Sequence, residues 1–113
     1  MKTYYRVCNI IQEKGLWYDT NGSFTGIIHK EYDFCGASVL PMDFDNELIG
    51  WLSAVEELDQ LWGWFNKKEV KRLQEYNYFI YAFEAEEEKF YDKYKHLVIK
   101  QETATPVRKI TLL

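Results

Sequence analysis

Side chains capable of chemistry are sparse in this sequence, and three stand out by where they fall. Arg6 follows Tyr5 in an early apolar run, Ser53 closes the short stretch Trp51-Leu52-Ser53, and Glu102 follows Lys100-Gln101 at the end of a late apolar run. An arginine presents a planar fork that suits a pyrophosphate. A carboxylate held against developing positive charge lowers a barrier electrostatically. Between the first two lies Gly15-Leu16-Trp17-Tyr18, a glycine followed by rings, and Tyr5, Trp17 and Tyr18 could stack on a flat ligand. Each of the three polar residues also has a plain structural use. Ser53 can cap a helix, Arg6 can be a surface or ion-paired strand residue, and Glu102 can be an exposed strand end.

Other constellations are weaker. The chain has no P-loop, no GxGxxG, no HExxH and no GxSxG, so the usual nucleotide, zinc-protease and hydrolase signatures are missing. Its two histidines, His29 and His96, give no metal-ligand spacing with Cys8 or Cys35, and no metal is expected. Asp43, Asp45 and Glu47 alternate as in a cation loop, but the glycine and distal glutamate of an EF-hand do not follow, which leaves a solvated loop. Glu84, Glu86, Glu87 and Glu88 form an acidic run. Such a run is a solubilising strand end or a dock for a basic protein partner. The cysteines sit in apolar stretches without CxxC spacing and read as buried thiols in a reducing cytosol.

The elements that must position these residues follow from pattern. Tyr4–Ile11 reads as a strand broken at Lys14-Gly15, and Asn21-Gly22 between apolar segments marks a hairpin leading to a short strand over Phe24–His29. Glu31–Ser38 is open to either a short helix or a loop, and Leu40–Asp45 is a loop around Pro41. Gly50–Leu52 is a short strand. Ser53 and Glu56 have the spacing of a capping box, and Val55, Leu58, Leu61, Trp62 and Phe65 follow at helical spacing. Asn66 and Glu69 repeat the cap, and the second helix stops near Asn77. Tyr78–Ala85 is a strong strand, Phe90–Tyr94 one helical turn, and Leu97–Ile99 and Thr105–Leu113 are strands. The expected fold is α+β: a small mixed or antiparallel split sheet with a central helical pair.

The order Arg, strand-Ser-helix, strand-Glu resembles the ADP-ribosyltransferase superfamily, in particular its arginine–serine–glutamate class. That resemblance implies an ADP-ribosyltransferase-like fold with NAD bound in a cleft between two small sheets. It implies that Arg6 contacts an NAD phosphate, that Ser53 supports the nicotinamide ribose, and that Glu102 bonds that ribose and stabilises charge as nicotinamide leaves. Tyr5, Trp17 and Tyr18 would supply stacking rings. Lys100 stands where arginine-modifying members carry the first glutamate of Glu-x-Glu, and Leu52 and Ala54 flank Ser53 in place of a Ser-Thr-Ser run. The chain as a whole, through GLWYDTNGSFTG, LPMDFD and GWLSA, is similar to small proteins carried by bacteriophages and prophages. That likeness implies no activity, but it implies a setting in the bacterial host cytoplasm, where small acidic proteins bind and inhibit host defence proteins.

Composition bounds all of these. At 113 residues the chain is expected to be a single domain over residues 1–113. With 47% hydrophobic and 28% charged residues it can bury a core. Aromatics reach 18%, more than a core of this size needs, so some rings are expected on a binding surface. A net charge of −4 makes nucleic acid a poor partner. No signal peptide and no run long enough to span a bilayer are visible, so a soluble cytoplasmic protein without membrane contact is expected. The partner is a nucleotide or a host protein, and the oligomeric state is open.

Overall fold

Segments rich in tyrosine, phenylalanine and β-branched residues pair here into two antiparallel sheets. A computed structural model describes residues 2–10, 14–15, 46–92 and 96–113. The strands are β1 (Lys2–Asn9), β2 (Lys14–Gly15), β3 (Trp51–Ser53), β4 (Phe79–Ala85), β5 (Glu88–Tyr91), β6 (His96–Lys100) and β7 (Thr105–Ile110). One sheet has four strands in the order β2-β1-β4-β7, and the other has three in the order β3-β6-β5. Every pairing among the described residues is antiparallel. The architecture is thus a small mixed fold with few helices and a split sheet.

The centre of the larger sheet is covered on both faces. In the β1–β4 register, Tyr4 lies opposite Phe83, Arg6 opposite Tyr81 and Val7 opposite Ile80. Because side chains alternate along a strand, Tyr4, Arg6, Tyr81 and Phe83 share one face and Val7 and Ile80 the other. All six are buried. Phe65, Leu61, Val70 and Leu73, from the helical stretch between β3 and β4, join the same core.

The one α-helix among the described residues, α1 (Lys67–Leu73), begins where its cap was expected. Asn66 Oδ1 accepts the Glu69 N–H at 2.8 Å, and the Glu69 carboxylate accepts the Asn66 N–H at 2.8 Å. The helix tightens into a 3₁₀ turn, Gln74–Tyr76, and stops at Asn77, whose φ of 68° lies in the left-handed region that asparagine tolerates. Replacing Asn66 with alanine removes one half of the reciprocal cap. It is expected to cost about 1 kcal/mol, read as a lower urea midpoint at unchanged slope.

Two expected elements are different. Ser53 does not start a helix: it ends β3, paired with Val98. Val55 is then held extended by two bonds to Tyr5, its N–H donating to the Tyr5 carbonyl at 2.9 Å and its carbonyl accepting at 2.8 Å. A helix cannot begin while the backbone N–H and C=O groups are bound to other strands. The turn starts later, as the 3₁₀ segment Leu58–Gly63 capped by Glu57 and Gln60. The helical pair is therefore one 3₁₀ segment and one α-helix. Phe90 likewise is not in a helical turn. It lies in β5, opposite Leu97 of β6. Lys14-Gly15, expected as a break, also forms the short β2 against Cys8 and Asn9. The expected hairpin at Asn21-Gly22, the strand Phe24–His29 and the stretches Glu31–Ser38 and Leu40–Asp45 lie outside the described residues. Among the described residues no helix is long and apolar enough to cross a membrane.

Candidate functional site

The segment Ser53-Ala54-Val55 carries the chain from one sheet to the other, and Arg6 holds that crossing. Ser53 pairs with β6, Ala54 donates its N–H to the Leu97 carbonyl at 3.2 Å, and Val55 bonds to Tyr5 of β1. From β1, the Arg6 guanidinium donates through Nη1 to the Ser53 carbonyl at 2.8 Å. Both residues are sealed, each 1% exposed. Ser53 Oγ is buried and makes no hydrogen bond among the described residues. Cys8, on the same face of β1 as Arg6, is a fully buried free thiol. Burial pushes its pKa up, and the nearby Arg6 charge opposes that rise.

Glu102 is apart from this junction. It lies in the turn Gln101–Thr103, whose first N–H donates to the Gly50 carbonyl at 2.9 Å, and its side chain is exposed. Gly50 precedes β3 and Ser53 ends it, so the strand's length, roughly 10 Å at 3.3 Å per residue, separates the Glu102 turn from the Arg6 contact. Tyr5 is half-buried, with both backbone groups bound to Val55. Trp17 and Tyr18 lie outside the described residues. The structure thus brings Arg6 and Ser53 together, with Tyr5 beside them, and sets Glu102 at the other end of β3. The Arg6 guanidinium donates to a backbone carbonyl, and the Glu102 side chain is exposed.

A second group of residues was not apparent as a site in the sequence. Lys2, at the start of β1, is bound by two carboxylates, Glu56 at 2.7 Å and Glu88 at 3.1 Å. Hydrogen bonds to Glu56 and then Glu88 hold its pKa well above the usual lysine value. The phenol of Tyr4 is raised too, first by burial and then by Glu88. Beside Glu56 lies a groove of about 240 Å³ lined by Ala54, Val55, Glu56, Gln60, Trp64, Phe90 and Leu97. Phe90 is 58% exposed there. These side chains come from three separate stretches, so only the aromatic excess and the acidic run hinted at them.

No protein-family model, curated protein or solved structure matches the chain. Among the described residues no group of three His, Cys, Asp or Glu side chains gathers in a way that could hold a metal ion.

Proposed function

We propose that this domain is a non-enzymatic binding module whose acidic end docks a basic protein partner. The observation that carries this is the sharing of one ammonium, that of Lys2, between Glu56 and Glu88. Two carboxylates against one lysine leave an excess negative charge. Register adds to it: Lys2 pairs with Ala85, so the β4–β5 turn with Glu86 and Glu87 lies at the same end of the sheet. Lys100 approaches Glu87 at 3.4 Å, and among the described residues no further cation pairs with Glu56, Glu86 or Glu88. Exposed ion pairs of this kind add little stability, so their field is available to steer a partner of opposite charge. On the likeness to phage proteins, that partner would be a host protein, such as a defence protein, in the bacterial cytoplasm.

The test is retention of a stoichiometric partner from bacterial lysate by the immobilised domain and by the variant Glu86→Lys/Glu87→Lys/Glu88→Lys. The native domain is expected to retain a basic protein that elutes as salt is raised, and the variant to lose at least nine-tenths of it, roughly a tenfold weakening at about 1.4 kcal/mol. Equal retention by both overturns the proposal.

A second reading follows from the Arg6–Ser53 contact between two sheets, the place where an ADP-ribosyltransferase-like domain would bind NAD or a related nucleotide. It assigns the phosphate to Arg6, the ribose to Ser53 and Glu102, and stacking to Tyr5, Trp17 and Tyr18. It requires a phosphate to take Nη1 from the Ser53 carbonyl. Calorimetric heat from millimolar NAD that disappears in Glu102→Ala would favour it, and no heat from the native domain removes it.

A further inference from the structure

We infer that the groove between Trp64 and Phe90 receives an arginine side chain of the basic partner. This rests on the partner's being basic, and it adds where one of its residues goes. The groove is lined by the apolar residues Ala54, Val55 and Leu97 together with the aromatic residues Trp64 and Phe90. At about 240 Å³ the groove has room for one long side chain. A guanidinium stacks on aromatic faces, whereas an ammonium is compact and strongly hydrated.

Two observations favour a cation over a neutral group. Glu56 stands at the rim and belongs to the carboxylate pair that Lys2 only half neutralises. Rings elsewhere on the protein already carry its own lysines. Lys67 lies 5.5 Å from the Trp62 ring, Lys89 lies 5.2 Å from Trp51 and 5.8 Å from Tyr91, and Lys109 lies 4.4 Å from Phe79. Phe90 carries none among the described residues, and it is among the most exposed of the large apolar side chains. The rim is also preorganised. Gln60 Oε1 accepts from the Glu57 N–H at 2.8 Å and the Glu56 N–H at 3.1 Å, which fixes both the glutamine and the backbone that bears the carboxylate.

The test titrates the full chain with N-acetyl-arginine methylamide, the lysine analogue and the norleucine analogue, followed by the Trp64 indole signal and the Gln60 and Phe90 amides in NMR spectra. The arginine probe is expected to shift these three signals saturably. Phe90→Ala should weaken it about fivefold, the worth of one exposed cation–π contact, and Glu56→Gln by a similar factor with loss of salt dependence. Equal shifts from the norleucine probe, tighter binding of the lysine probe, or unchanged affinity in Phe90→Ala would each overturn the assignment. Loss of lysate retention in the triple lysine variant with no arginine shift in the native domain leaves the basic partner standing and removes the groove. An arginine shift with equal retention by both proteins does the reverse.

Discussion

Replacing Arg6 with alanine is expected to destabilise the fold by about 3 kcal/mol. A hydrogen bond from a charged donor is worth roughly 1.5–3 kcal/mol, and the Arg6 bond to the Ser53 carbonyl is sealed from water. Its loss strands that carbonyl at the crossing between the sheets and removes a buried methylene stem from the face of the sheet it shares with Tyr4 and Tyr81. For a domain of this size each kcal/mol moves the melting temperature by roughly 4–8 °C, so a drop of more than ten degrees is expected. Urea unfolding of Arg6→Ala against the native chain gives the number directly. The same measurement separates two roles for Arg6. An arginine kept for a phosphate would cost little stability when removed and would abolish nucleotide heat. An arginine kept as a clamp would do the opposite. A change below 1 kcal/mol would sink the clamp.

Why Arg6 was legible as special but not as a clamp follows from what local sequence can encode. Strands β1, β3, β4, β6 and β7 are visible because their runs of aromatic and β-branched residues are local facts, and so is the Asn66–Glu69 cap. Ser53 shows the limit. Ser53 and Glu56 meet the spacing of a capping box, and Val55, Leu58, Leu61 and Phe65 keep a helical period. Leu61 is buried in a 3₁₀ segment, with Val55 buried in the extended stretch before it and Phe65 after it, and pairing to Val98 and Tyr5 decides which conformation wins. Partners so distant in sequence leave no local signature. Phe90 misled for the same reason: flanked by charges it looks helical, while its opposition to Leu97 makes it a strand residue. The groove it lines was invisible because Glu56, Trp64 and Phe90 meet only when both sheets are in place. The acidic run was legible, but its excess charge depends on Lys2, at the far end of the chain.

Replacing Phe83 with alanine should be the most damaging change of all, costing about 4 kcal/mol. Phe83 is 1% exposed on β4, the inner strand flanked by β1 and β7. It faces Tyr4 on one side and Pro106 on the other, where the ladder to β7 shifts register. Little can move in to refill the space, because Tyr4 and Tyr81 on the same face are themselves buried in paired strands. Phe90→Ala is the counterpart. Its ring is mostly in solvent, and surface substitutions of that kind stay within roughly 0.5 kcal/mol. Phe83→Ala should therefore lower the urea midpoint sharply and leave arginine binding intact at temperatures where the variant is folded. Phe90→Ala should keep the midpoint and weaken the ligand. If Phe90→Ala instead costs as much stability as Phe83→Ala, the ring is part of the core and the groove is not open to a partner.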